Sequence, residues 1–206
     1  MKNYPKQIRN NLLSVIRTMG ETPWLYAKDP SRDFSRHRKI PFEKLLTTLV
    51  GMGGGTLTKE MLDSFHYHQT TATSSAFIQQ REKLLPEAME FLFRKFTATC
   101  KENKLYRGYR LLAVDGSECQ LPTDPNDPET FMPASSVQPA YNEIHIDALY
   151  DLCSRTYLDA LVHGRRLHGE RAGLITMLER STISSPTILL ADRGYEGYNI
   201  FAHLQE

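Results

Sequence analysis

Hydrophobic residues in the first half of the chain recur at the spacing of helices. Apolar side chains stand three or four positions apart through 3–19 and again after Pro41, a residue that suits the start of a helix. Four glycines within 51–55 must end the second of these helices. The predicted helices cover 3–19, 41–50, 58–65, a segment that Thr73 or Ser74 caps, and 86–101. Residues 1–108 are therefore predicted to be all-helical, either as a small bundle or with a helix-turn-helix.

The pattern changes at about Tyr109 to alternation and short apolar runs. An apolar run before Asp115 predicts a buried strand that ends there. The segments 143–150 and 155–163 alternate between apolar and polar residues, which predicts an antiparallel hairpin. The remaining predicted elements are a helix over 170–180, a buried strand over 187–191 and a helix over 198–204. Residues 109–206 are therefore predicted to form an α/β domain, and the whole chain an α+β protein.

Charge is distributed unevenly between the two predicted regions. The formal net charge of +1 is the balance of +8 in 1–108 and −7 in 109–206. A basic region indicates a polyanionic partner such as nucleic acid, whereas an acidic region indicates either a solvated surface or a cation site. An uneven surface charge without a function is the alternative at this point.

Targeting and redox signals are absent from the sequence. No apolar run reaches the roughly 18–20 residues that a membrane span needs. Residues 1–20 lack the apolar block of a signal peptide, so a cytoplasmic location is expected. The three cysteines are odd in number and widely spaced, so we expect reduced thiols and neither a disulfide framework nor a zinc site.

Two segments share one arrangement: an apolar strand, an Asp and then a Gly within two positions. They are Leu-Leu-Ala-Val-Asp115-Gly and Ile-Leu-Leu-Ala-Asp192-Arg-Gly. One Asp-Gly pair is a common turn signal, but two copies on successive core strands favour a site. If the strands are neighbours, the two carboxylates share a crevice and repel by roughly 4 kcal/mol at about 4 Å and an effective dielectric of about 20. A divalent ion relieves that repulsion, and oxygen ligands favour Mg²⁺ or Mn²⁺.

The other acidic and histidine residues of the second region are assigned to solvent or to helix stability. The acidic residues of the hairpin are predicted to be mostly solvent-facing: Glu143, Asp147, Asp151 and Asp159. His163 and His168 could bind a metal, but a solvated loop is the expectation. Glu170 is predicted to be a first-turn acid that the helix dipole favours.

The segments Ala-Val-Asp115-Gly-Ser and Ala-Asp192-Arg-Gly-Tyr resemble the first and second catalytic motifs of bacterial insertion-sequence transposases of the Asp-Asp-Glu type, whose core has a ribonuclease-H-like fold. The stretch Phe-Ser-Arg-His-Arg-Lys-Ile-Pro-Phe at 34–42 and the segment at 75–81 are similar to that family as well. The resemblance covers nearly the whole chain. It implies a helical DNA-binding region over 1–108, followed by the catalytic core.

The resemblance also implies roles for individual residues. Asp115 and Asp192 would be catalytic ligands of Mg²⁺ or Mn²⁺, while Arg193 and Tyr195 would support the site or contact DNA. The implied partners are double-stranded DNA with terminal inverted repeats and a second copy of the chain. Basic and amide side chains of the first region are the expected DNA contacts: Arg36, Arg38, Lys39, Gln79, Gln80, Arg81 and Lys83.

The family's third catalytic carboxylate, a Glu in a Tyr-x2-Arg-x3-Glu-x6-Lys motif, has no counterpart in this sequence. Glu206 lacks the motif and is not a substitute. We therefore expect an incomplete core, truncated before the third carboxylate, and a chain that does not transpose by itself. Two other interpretations stay open: a DNA-binding remnant that occupies DNA ends or inhibits a full-length partner, and a magnesium-dependent phosphatase or nuclease of unrelated fold.

Overall fold

The computed structural model describes residues 4–36, 38–100, 104–164, 169–181, 183 and 186–205. His37, His168 and Glu206 therefore lie outside the described residues. The chain forms two compact units, residues 1–100 and 101–206. Tyr106 and Tyr109, on either side of the boundary expected from the sequence, exchange two backbone hydrogen bonds across Gly108 within the second unit. Gly108 has a φ of 86°, a backbone conformation that glycine adopts without strain.

Five α-helices form the described part of the first unit. They are α1 (Tyr4–Gly20), α2 (Phe42–Gly51), α3 (Leu57–Ser64), α4 (Ser74–Arg81) and α5 (Glu87–Thr99). Thr56 and Thr73 are the N-cap residues of α3 and α4. Their side-chain hydroxyls accept hydrogen bonds from backbone N–H groups of the first turn. The apolar faces meet in one core, in which Leu45, Leu46 and Phe77 are completely buried.

The connection between α3 and α4 is too long for these two helices to form a tight helix-turn-helix motif. Residues 65–73 join the two helices, a longer connection than the roughly 3–4-residue turn of that motif. His66 and Tyr67 within it adopt positive φ angles of 53° and 56°. The first unit is therefore the small helical bundle that the sequence left as the alternative.

A mixed five-stranded sheet is the centre of the second unit. Its elements are β1 (Arg110–Leu121), β2 (Phe131–Met132), β3 (Tyr141–Asp151), β4 (Thr156–Gly164), α6 (Glu170–Arg180), β5 (Thr187–Leu190) and α7 (Tyr198–Gln205). β3 pairs antiparallel with β1, β2 and β4, and β1 pairs parallel with β5. The α+β class, the helical first half and the antiparallel hairpin are confirmed.

The first strand does not end at Asp115, contrary to the prediction. β1 continues to Leu121 because its residues pair with β3 without interruption from Leu112 onward. The apolar run stops at Val114 because the residues that follow are mostly exposed. An apolar run reports burial, whereas the length of a strand is decided by its hydrogen-bonded neighbour.

Side chains alternate across β1, which gives the sheet a face covered by α6 and an open face on the other side. Leu112 and Val114 pack with the apolar residues of α6 in the core of this unit. Ala113, Asp115 and Ser117 occupy the alternate positions and line a shallow depression on the open face. Asp115 is therefore reached from solvent on the open face.

Candidate metal and nucleic-acid sites

Asp115 and Asp192 come to matching positions of two adjacent strands. β1 and β5 run parallel, and Ala113 lies opposite Leu190. Each Asp follows one of these paired residues by two positions, Asp115 within β1 and Asp192 just after the C-terminal end of β5. The two strands are therefore neighbours, which is the condition that a shared cation site requires.

The glycine that follows each Asp holds its carboxylate in place. Asp115 Oδ1 accepts a hydrogen bond from the N–H of Gly116 at 3.0 Å, and Asp192 Oδ1 accepts one from Gly194 at 2.7 Å. Arg171 Nε donates to the carbonyl oxygen of Gly194 at 2.7 Å and fixes the second turn. Both Asp side chains are exposed, and each carboxylate keeps an oxygen outside these bonds.

Glu170, the first residue of α6, occupies the space beside both glycines. A Cβ built on Gly116 would lie 2.5 Å from His145 Nε2 and 3.2 Å from Glu170 Oε1, and one built on Gly194 would lie 2.9 Å from Asp192 Oδ1 and 3.6 Å from Glu170 Oε2. Gly116 therefore leaves room first for the ring of His145 and then for the carboxylate of Glu170, to which the sequence assigned only a role in helix stability. Glu170 thus borders the glycine turns that follow Asp115 and Asp192, although among the described residues the ligand atoms of these three carboxylates do not converge within 4.8 Å of one another.

A second cluster lies on the covered face and combines two histidines with an aspartate. His145 and Asp147 on β3 and His163 on β4 each offer a ligand atom, and these atoms lie within 4.8 Å of one another. Asp147 Oδ1 is 3.1 Å from His145 Nε2, and Oδ2 is 2.8 Å from His163 Nε2. Such a buried group could bind a metal ion. The expectations of a solvent-facing Asp147 and a solvated His163 are wrong.

The other acidic residues of the hairpin are buried as well, which also contradicts their predicted exposure. The hairpin does lie at the edge of the sheet through β4, but β3 is an inner strand, and Asp159 of β4 is buried on the face covered by α6. Asp151 binds Arg110 Nε at 2.8 Å, and Asp159 accepts two bonds from Arg180 at 2.6 and 3.0 Å. Glu143 is only 7% exposed. Buried carboxylates are tolerated here because cations and N–H groups compensate the charge.

Tyr195 belongs to the core of the second unit and does not contact DNA, contrary to one of its two predicted roles. Its side chain is buried in the cluster around α6, and its hydroxyl has no hydrogen-bond partner among the described residues. Burial raises the pKa of the phenol well above its ordinary value, and the negative charges of Asp147, Glu170, Asp115 and Asp192 raise it further. Tyr195 therefore stays neutral beside both clusters. Arg193 is exposed and keeps its candidate role.

Several of the residues predicted to contact DNA line one groove of the first unit. The groove has a volume of about 730 Å³, and Arg32 adds a further cation to its wall, beside Asp29 and Asp33. The predicted contacts in its lining are Arg36, Arg38, Gln80 and Lys83. The other predicted contacts are exposed outside that lining: Lys39, Gln79 and Arg81.

Sequence reasoning missed the cluster of His145, Asp147 and His163 because its formation depends on strand register. The alternate spacing of His145 and Asp147 was a readable signal, since it places both on one face of a strand. The sequence could not show that His163 lies opposite His145, because a bulge between Leu149 and Tyr150 shifts the pairing register of the hairpin. A shift of one residue moves side chains to the opposite face of a sheet.

Comparison with known proteins assigns no family to this chain. No family model matches the sequence, and no curated protein matches it either. Among the described residues, no helix combines the length and the apolar character that a membrane crossing needs. The functional assignment therefore depends on the residues and geometry described above.

Proposed function

We propose that this chain carries the DNA-binding region and the first two metal-binding carboxylates of a DNA transposase of the Asp-Asp-Glu type, which cleaves phosphodiester bonds with a divalent metal ion and transfers the freed strand. Because its sequence has no Tyr-x2-Arg-x3-Glu-x6-Lys motif, we expect it to bind and nick DNA without completing transposition by itself. The parallel pairing of β1 with β5, in which Asp115 and Asp192 each follow a paired residue by two positions, is the observation that supports the proposal. The order of elements supports it too. Antiparallel strands, a crossover helix and a strand parallel to the first are the arrangement expected of a ribonuclease-H-like core.

The carboxylates at this end of the sheet fit Mg²⁺ or Mn²⁺. Their donors are oxygens alone, which these two ions prefer, and Asp115 and Asp192 are open to solvent. Glu170 supplies a further carboxylate, a part that the motifs of the sequence did not assign. When bound, such an ion stabilises the charge that develops on a phosphate and activates water or a 3′-hydroxyl. The glycine N–H groups orient the carboxylates that hold it.

The groove of the first unit is the proposed contact with double-stranded DNA at terminal inverted repeats. Arg36, Arg38 and Lys83 would neutralise phosphates, and the amide of Gln80 can form hydrogen bonds with a base edge. Arg193 would contact DNA next to the carboxylates. A homodimer on paired DNA ends and a cytoplasmic location, where bacterial DNA lies, are parts of the same proposal.

Cleavage of plasmid DNA by the full chain tests the proposal. We expect nicked circles with Mn²⁺ or Mg²⁺ and none with EDTA. Asp115→Asn and Asp192→Asn should each lower the nicking rate more than about 100-fold, since even residues that only orient a metal ligand contribute roughly 10- to 100-fold. Asp124→Asn, which removes an exposed carboxylate elsewhere in the same unit, is the matched control and should leave the rate unchanged.

The outcomes separate the three functions that the sequence allows. DNA binding without nicking in either metal contradicts the cleavage activity and favours a DNA-binding remnant, for which the basic groove is the supporting observation. Hydrolysis of small phosphate esters without affinity for DNA contradicts both and favours a phosphatase. Nicking that persists in Asp115→Asn or Asp192→Asn contradicts the assigned site.

A further inference from the structure

The pairing register of β3 with β4 brings His145, Asp147 and His163 together on one face of the sheet. His145 lies opposite His163 in the pairing of β3 with β4, and Asp147 stands two residues further along β3. Because side chains alternate along a strand, all three project from the covered face towards α6. The ligand atoms converge within 4.8 Å without any contribution from a loop. Donors held on paired strands are positioned more rigidly than donors on loops.

The contacts of His163 are compatible with a metal ion between its ring and Asp147. His163 Nδ1 lies 3.2 Å from the carbonyl oxygen of Gly164, and a carbonyl only accepts, so Nδ1 carries a proton. A neutral ring then has an unprotonated Nε2, which lies 2.8 Å from Asp147 Oδ2. Two acceptors at that distance require either a second proton on the ring or a metal ion. Donation of the other ring N–H to a backbone carbonyl is typical of metal-binding histidines.

The surroundings of the cluster are closed. The side chains of His145, Asp147 and His163 are 8%, 0% and 5% exposed. Gly173 of α6 lies so close that a Cβ there would come within 2.1 Å of Asp147 Oδ2. The unpartnered hydroxyl of Tyr195 is also buried, and the charge of Asp147 contributes to raising its pKa.

We propose that His145, Asp147 and His163 bind one divalent ion of the zinc class, in a structural site separate from the exposed carboxylates of Asp115 and Asp192. Two imidazoles and one carboxylate suit Zn²⁺ and not Mg²⁺, which prefers oxygen ligands alone. The ion joins two strands beneath α6 and removes the repulsion between the acceptors. This site goes beyond the proposed function, because the exposed carboxylates need no zinc.

Metal content and stability of the full chain test the site. The chain, freed of any histidine tag, is dialysed with Zn²⁺ and then against buffer, and bound metal is measured by mass spectrometry. We expect one Zn²⁺ per chain, and a melting temperature that falls when a chelator removes the ion. His145→Ala and His163→Ala should lose the metal and the chelator effect. His68→Ala is the matched control, because His68 is exposed in the first unit, and it should keep both.

A conservative variant keeps the test decisive if the alanine variants do not fold. His163→Cys offers a thiolate, which is a good zinc ligand, so it should still bind one ion. With Co²⁺ in place of Zn²⁺ it should also gain a thiolate-to-cobalt absorption band that the unchanged chain lacks. No retained metal in the unchanged chain, together with ¹⁵N NMR evidence of a His163 ring protonated on both nitrogens, would overturn the proposal in favour of an imidazolium–carboxylate pair.

Discussion

Gly173 lets α6 lie directly on the buried carboxylate of Asp147. An added Cβ would approach Asp147 Oδ2 to 2.1 Å, and the carboxylate cannot move aside because His145 and His163 hold its two oxygens. We predict that Gly173→Ala lowers the free energy of unfolding by about 1–3 kcal/mol, although alanine favours helix more than glycine does. Urea denaturation followed by far-UV circular dichroism measures the change.

Gly51→Ala is the control for that substitution. Gly51 is the last residue of α2, and a Cβ there has no atom within 4 Å. We expect no loss of stability from this change, because alanine at an unstrained position restricts the unfolded chain. A Gly173→Ala variant as stable as the unchanged chain would contradict the close packing of α6 on Asp147.

The individual residues of the candidate site were predictable to different degrees. Asp115 and Asp192 could be singled out because the same arrangement of an apolar strand, an Asp and a Gly occurs twice in the sequence, whereas their exposure to solvent is a property of the fold. Glu170 could not be found, because its role depends on where the first turn of α6 lies relative to two glycines. The burial of Tyr195, which the resemblance offered as a supporting or DNA-contacting residue, could not be predicted because it follows from packing beside α6 and not from local sequence.

At the scale of elements, Arg180 connects the last turn of α6 to β4. It donates to both oxygens of Asp159, at 2.6 and 3.0 Å, and to the carbonyl oxygen of Ala160 at 2.8 Å. We predict that Arg180→Ala destabilises the chain by about 3–5 kcal/mol, because it leaves a carboxylate that is only 2% exposed without this partner. Chemical denaturation monitored by circular dichroism measures the loss.

An exposed ion pair provides the comparison for Arg180. Arg94 and Glu90 form a pair one helical turn apart on α5, with side chains 39% and 53% exposed. Arg94→Ala should cost less than about 1 kcal/mol, as surface pairs do. Equal losses for the two arginines would contradict the anchoring of α6 through Arg180.

Sequence patterns predicted most elements of the second unit but not their pairing register. The alternation in the hairpin and the periodicity of 170–180 indicated β3, β4 and α6 close to their observed bounds. The bulge at Leu149 and Tyr150 determines which side chains face α6, and no residue there signals it. Pairing with β3 also extends β1 beyond its apolar run. Register and burial are tertiary properties, so the metal-binding potential of the covered face could not be read from the chain.

At the scale of the whole molecule, the basic and acidic regions of the sequence correspond closely to the two structural units, residues 1–100 and 101–206. The basic residues that line the groove lie in the first unit, and both carboxylate clusters lie in the second. Composition could predict this division, because it depends only on which residues each region contains. Composition could not predict that one end of the sheet would collect the exposed carboxylates while the covered face buried two histidines with an aspartate.

Calorimetric titration of Mn²⁺ into the full chain, without DNA, tests most directly whether Asp115 and Asp192 form one site. The account predicts binding that Asp115→Asn and Asp192→Asn each abolish and that Glu170→Gln weakens, because each Asp follows a paired residue of β1 or β5 by two positions and Glu170 borders both glycine turns. His163→Ala should retain this binding, since its cluster lies on the covered face. Unchanged Mn²⁺ binding in either Asp variant would contradict the shared site and, with it, the central claim.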